Sequence, residues 1–156
     1  MAAIFNGSVM VLDMMTLLAG LFLSAFLSAT LLPGSSEVFL AGILSQNSAP
    51  VGLAVFVATV GNTAGSCINW YIGRFFAHFR YHRRFPVNPG QYEQYSSWYR
   101  RWGIWSLLLS WVPVIGDPLT VIAGAARTPI VLFTGIVFVA KGVRYLFVAG
   151  LVGFFW

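Results

Sequence analysis

The chain has 156 residues, 58% hydrophobic and only 8% charged, against about 25% charged in soluble domains, and its mean hydropathy of +0.80 excludes an ordinary soluble domain. The net charge of +5 does not point to nucleic acid, because six of the nine Lys and Arg residues lie between Arg74 and Arg101, in the one long polar interval, where they suit anionic headgroups and membrane orientation. The single Cys67 excludes an internal disulfide framework.

Residues 1–13 are mildly polar, with Asn6, Gly7 and Asp13, and are expected to form a short interfacial lead-in. The first Lys or Arg is Arg74. The basic n-region of a secretory signal is therefore missing, and the N-terminus is expected to be retained. Residues 14–36 and 38–73 contain no Asp, Glu, Lys or Arg, and both runs exceed the roughly 18 apolar residues of a spanning candidate. The stretch 14–32 predicts a helix whose Ser and Ala residues make close contacts with other helices, and Pro33-Gly34 stops it. A second helix follows, with Ser35 or Ser36 as its cap and Glu37 in its first turn, where the helix dipole favours an anion. It ends near Ser45, before the polar turn Gln46-Asn47-Ser48-Ala49-Pro50. Some ten residues of helix reach about 15 Å, half of the hydrocarbon thickness. Residues 14–45 thus predict a re-entrant hairpin, whose broken backbone must be surrounded by protein or water.

Residues 51–76 predict a full span, with Gly61, Gly65 and Gly73 as a small-residue face and Asn62, Ser66 and Asn69 as hydrogen-bonding side chains for helix packing. Residues 77–103 read as a basic interfacial loop, carrying Arg80, Arg83, Arg84, Arg100 and Arg101 among several Tyr and Trp. A second hairpin is predicted over 104–126: Pro113 to Gly116 breaks it, and Asp117-Pro118 starts its return helix with a cap and a proline at the first helical position. Residues 129–156 form a last span, long enough to tilt.

The order hairpin, span, basic loop, hairpin, span is a duplicated unit within a single membrane domain, 1–156. The fold class is therefore an all-α integral membrane protein with two re-entrant hairpins, each followed by a transmembrane helix. If each hairpin returns to the side it entered from, the halves form an inverted repeat of the transporter kind. Positive-inside reasoning then puts loop 77–103 in the cytoplasm and both termini outside, whereas four full spans would put both termini inside with the same loop.

Taken in order, Leu32-Pro33-Gly34-Ser35-Ser36-Glu37, Gly61-Asn62-Thr63-Ala64-Gly65, Tyr71-Ile72-Gly73-Arg74, Trp111-Val112-Pro113-Val114-Ile115-Gly116-Asp117-Pro118, Ala123-Gly124 and Gly142-Val143-Arg144-Tyr145 resemble the DedA (VTT or SNARE-associated) superfamily, and most closely its small YqaA-like bacterial branch. The resemblance covers roughly residues 20 to 150. It implies two re-entrant hairpins meeting near the midplane of a bacterial inner membrane and a role in moving lipids between leaflets. Bacterial relatives are linked to recycling of undecaprenyl phosphate or phosphatidylethanolamine and to dependence on the proton-motive force, and eukaryotic relatives are scramblases. The acid of the first hairpin carries over to Glu37. Better-known members have an arginine before the second-hairpin proline and another shortly after it. Here those places hold Ser110 or Trp111, and Gly116 with Asp117; Lys141 and Arg144 on the last helix are the candidates to replace that charge.

Four charges are expected within the membrane: Glu37, Asp117, Lys141 and Arg144. Each costs a few kcal/mol at the bilayer centre if unpaired, so two acids and two bases are expected to pair. Lys141 is about 18 Å along its helix from Pro129, and Arg144 follows one turn later on the same face, so both reach a midplane hairpin tip. In the functional reading, the cations and the free N–H groups of the half-helices bind a lipid phosphate, while Glu37 or Asp117 exchanges a proton. In the bland reading, the ion pairs permanently fix the hairpins. Arg74 is an interface anchor or a headgroup contact.

His78 and His82 lack a third ligand nearby in sequence, so no metal is expected, and neither is any cofactor or nucleic acid. Enzyme readings are weak. Gly34-Ser35-Ser36-Glu37 has no histidine within reach, Gly116-Asp117 has no second buried aspartate, and Gly61-Asn62-Thr63-Ala64-Gly65 lacks the ending of a phosphate loop. The favoured function is a flippase or scramblase of a phospholipid or polyprenyl phosphate, with protons as the candidate coupling ion and a homo-oligomer left open. The alternatives are a proton-coupled transporter of a small solute or drug cation, and a non-transporting membrane scaffold.

Overall fold

The computed structural model of the chain describes residues 2–30, 34–76, 87–112 and 115–155, with side chains from Met10 onwards. All regular structure among the described residues is helical: α1 (Ala2–Ser28), α2 (Ser35–Ser45), α3 (Val51–Phe76), α4 (Pro89–Trp102), a 3-10 helix (Gly103–Trp111), α5 (Gly116–Ala125) and α6 (Ile130–Phe155). Three helices are long and apolar enough to cross a membrane: Met10–Ser28 within α1, then α3 and α6. Their outward faces are apolar, with Val131 83% and Leu23 58% exposed, as lipid contact requires and water does not favour. The chain is an all-helical integral membrane protein.

Several local expectations are corrected. Residues 2–13 are not a separate lead-in but the first turns of α1; no proline interrupts them, and Asp13 is exposed, so the helix buries no charge there. The interval 77–103 is not all loop, because α4 occupies 14 of its residues. Pro89 at the start of α4 lacks a donor that the first turn does not use. Tyr92, Tyr95, Trp98, Tyr99 and Trp102 recur at helical spacing, and Tyr95 is buried with Leu119, Val121 and Ile122 of α5. An aromatic stripe here replaces the aliphatic one that usually marks such a helix.

Neither short helix is capped as its sequence suggests. At α2 the N-cap is Gly34, in the left-handed region at φ +96° and without a side-chain cap, and the Ser36 hydroxyl bonds elsewhere. At α5 the N-cap is Ile115, and Asp117 and Pro118 are the second and third helical residues. Pro33 and Pro113, together with Arg80, Arg83, Arg84, His78 and His82, lie outside the described residues.

The helices are held by close backbone approach. A Cβ at Gly61 would lie 2.6 Å from the Phe22 carbonyl oxygen, and one at Gly65 would lie 2.4 Å from that of Phe26. These two glycines, one turn apart, seat α1 directly on α3. The crossing of α3 with α5 is tighter still: a Cβ at Gly73 would fall 1.8 Å from the Val121 oxygen, and one at Gly124 2.0 Å from the Trp70 oxygen. Helix α6 packs against α3, α2 and the 3-10 helix. One apolar core joins Leu21, Leu40, Ala58 and Tyr145, and another joins Trp70, Leu107, Ala123 and Phe133. Together they enclose the middle of α6.

Candidate functional site

Four charged side chains meet at the middle of α6. Lys141, in an otherwise apolar helix, is only 1% exposed, and its Nζ lies 3.1 Å from Asp117 Oδ1 in the first turn of α5. One turn further, Arg144 Nη2 forms an ion pair with Glu37 Oε1 in the first turn of α2. The four side chains range from 1% to 25% exposed. Charges so far from water persist only when paired. Because α2 and α5 point their first turns at α6, each acid also sits at the positive end of its own helix.

A second, uncharged network lies directly beside the charges. The Tyr145 phenol is fully buried. Asn62 Nδ2 on α3 donates to it at 2.8 Å, and its oxygen is 2.8 Å from Ser36 Oγ on α2. Ser36 donates to Ser28 Oγ on α1 at 3.2 Å. A serine hydroxyl has one proton, so Tyr145 is the donor to Ser36. The chain Asn62, Tyr145, Ser36, Ser28 therefore ties α1, α2, α3 and α6 together, one residue away from both Glu37 and Arg144. Sequence reasoning assigned Asn62 to helix packing and gave Tyr145 no role of its own. The available signal was a phenol inside an apolar helix immediately after an intramembrane arginine.

The expected site residues are thus divided. Glu37, Asp117, Lys141 and Arg144 form the cluster. Gly34 and Gly116 stand at the starts of the two acid-bearing helices, and Pro118 follows Asp117. At Gly116 a Cβ would meet the Ser110 carbonyl oxygen at 2.5 Å, so the 3-10 helix closes directly onto α5. Arg74 stands apart, in the last turn of α3 beside Gly124. It forms no ion pair with the cluster among the described residues, and its Nη1 is buried without a hydrogen-bond partner there. No group of His, Cys, Asp and Glu among the described residues has the arrangement of a metal site.

Comparison with known proteins gives one family and a few relatives. The VTT domain model matches residues 32–154, which include both acids and both cations. The chain is 39% identical over 137 residues to inner membrane protein YqaA of Escherichia coli, covering 85% of this chain and 88% of that protein, with the same values for YqaA of Shigella flexneri. It is 36% identical over 136 residues to an uncharacterized protein of Haemophilus influenzae, covering 81% of each. No solved structure matches.

Proposed function

The chain belongs to the VTT domain (DedA) family, and from that premise we propose that it moves a lipid with an anionic phosphate headgroup, a phospholipid or a polyprenyl phosphate, between the leaflets of a bacterial inner membrane. The observation that carries this reading is the convergence of two acid-bearing helix starts on a single helix, with Glu37 on Arg144 and Asp117 on Lys141. A phosphate competes with a carboxylate for the same guanidinium or ammonium group. The positive ends of the α2 and α5 helix dipoles favour an anion at the same spot. Protons are the proposed coupling ion, with Glu37 and Asp117 as the groups that exchange them.

In this reading α1 with α2, and the 3-10 helix with α5, are two re-entrant hairpins of an inverted repeat. The return limbs favour it: α2 has 11 residues and α5 has 10, so each reaches about 15 Å, half a bilayer, whereas the first limb, α1, holds a stretch long enough to cross. The packing favours it as well, since α2 lies against α6 and α5 lies against α3, the exchange of partners that a twofold axis in the membrane plane produces. Arg100 and Arg101 are exposed in the last turn of α4, and positive-inside reasoning assigns that face to the cytoplasm.

The test uses purified protein in vesicles carrying a headgroup-labelled phospholipid or polyprenyl phosphate. The label is expected to equilibrate across the bilayer, and Glu37→Gln is expected to slow it about tenfold or more, the factor that goes with loss of one charge-assisted contact. Unchanged lipid movement in a folded Glu37→Gln protein removes Glu37 from the mechanism. Uptake of a small cation driven by pH, with no lipid movement, assigns the site to solute transport instead.

A further inference from the structure

A groove of about 310 Å³ runs between α1 and α2, near the lower limit for ligand pockets. Its middle is apolar, formed by Leu17 of α1 and Val38, Phe39 and Ile43 of α2. Its ends are polar. Ser24 and Ser35 mark the end next to Glu37, while Gln46 and Ser48 mark the opposite end, in the turn before α3. None of the lining residues is charged. The groove lies beside exposed Val38 and the spanning part of α1, whose outward side chains Met15, Leu23 and Leu27 are apolar.

Gly42 is the opening in this wall. A Cβ there would meet no other atom within 4 Å, so close packing does not demand glycine, although glycine weakens a helix interior. The missing side chain leaves the groove continuous along α2, whose 11 residues extend about 16 Å.

The geometry points to this groove as the seat of one acyl chain of a membrane glycerophospholipid, lying along α2 with its ester end among the polar residues. The inference deepens the transport reading by naming where the lipid is held before its headgroup reaches the ion pairs. A glycerophospholipid carries an ester group where the apolar lining gives way to Ser24 and Ser35, whereas a polyprenyl chain has no polar group to place there. The seat also explains why an apolar channel ends at Ser35, two residues before Glu37.

The protein is placed in vesicles of phosphatidylethanolamine and phosphatidylglycerol containing a trace of phosphatidylglycerol with a photoreactive diazirine within one acyl chain. After illumination, labelled peptides are mapped by mass spectrometry. Labelling is expected to concentrate on residues 17–24 and 35–48. Gly42→Leu, whose Cβ meets no atom within 4 Å, extends into the slot and raises helix propensity, so it is expected to keep or raise the melting temperature while cutting groove labelling about tenfold. Gly135→Leu, at an open position on α6, is expected to leave it unchanged. Labelling spread evenly over the outward faces of α3 and α6, or indifferent to Gly42→Leu, overturns the seat, and equal labelling by a diazirine-bearing polyprenyl phosphate overturns the acyl assignment. Transport assayed in the same vesicles separates the two readings. Lipid movement without groove labelling removes the seat alone, and groove labelling without lipid movement keeps the seat and removes transport.

Discussion

The two members of the Lys141–Asp117 pair are not equally buried, and this makes removal of one partner cost more than removal of the other. Asp117→Asn keeps the shape and one acceptor, but leaves an ammonium group that is only 1% exposed without a counter-charge. Breaking a buried pair from one side costs about 3–5 kcal/mol; the amide oxygen still accepts a hydrogen bond from Lys141, so about 3 kcal/mol is expected, a factor of about a hundred in the folding equilibrium. Lys141→Met leaves instead a carboxylate that is 25% exposed and so less deeply buried than the lysine, with an expected cost of about 1–2 kcal/mol. The double variant replaces the pair by neutral groups and is expected to lie close to Lys141→Met, giving a coupling of about 3 kcal/mol, the whole cost of the Asp117→Asn single variant. Unfolding in detergent, followed by tryptophan fluorescence across a denaturant titration, measures all three. Equal costs for the single variants, the reverse order, or a double variant equal to the sum of the singles would refute the argument.

The remaining expectations are structural. Tyr145→Phe deprives Asn62 of its acceptor and Ser36 of its donor and is expected to cost about 1–3 kcal/mol in the same titration; a loss below a few tenths would show that the network carries no weight. Gly73→Ala places a methyl 1.8 Å from the Val121 oxygen, so α3 and α5 must separate, at about 3 kcal/mol or more, whereas Gly135→Ala faces open space and is expected to gain up to about 1 kcal/mol. Purification yield and melting temperature distinguish the two glycines, and a tolerated Gly73→Ala would disprove backbone contact at the crossing. Trp70→Phe removes the indole N–H that bonds the Thr128 carbonyl at 3.1 Å. It is expected to lower the melting temperature by a few degrees, the shift that goes with about 1 kcal/mol, and an unchanged midpoint would show that bond to be dispensable.

The membrane character and the helical class are legible in the charge-free runs 14–36 and 38–73 and in the composition. The four intramembrane charges also stand out, because each interrupts an apolar stretch. The sequence leaves their pairing open, since two acids and two cations one turn apart on a helix allow two assignments. The choice is made by tertiary placement, which sets α2 beside Arg144 and α5 beside Lys141. Local rules mislead at the helix starts for the same reason. Ser36 and Asp117 have the chemistry of caps, but Tyr145 and Lys141 offer them partners inside the protein, where an unpaired buried group would be more costly than an uncapped turn. Helix α4 escaped notice because its packing face is aromatic and its neighbourhood basic, so the interval reads as interface rather than as a helix docked on α5.

The glycine contacts on α3 set more than helix spacing. Gly61 and Gly65 hold α1 at two successive turns, while Gly73 and Gly124 let α3 and α5 meet backbone to backbone at their crossing, the most extensive helix contact among the described residues. Asp117 lies seven residues from Gly124, a lever of about 10 Å, so re-seating α5 at that crossing by some ten degrees would move its acid by nearly 2 Å, enough to open a 3.1 Å ion pair. The register of the Lys141–Asp117 pair is therefore held by two missing side chains about two turns away from it.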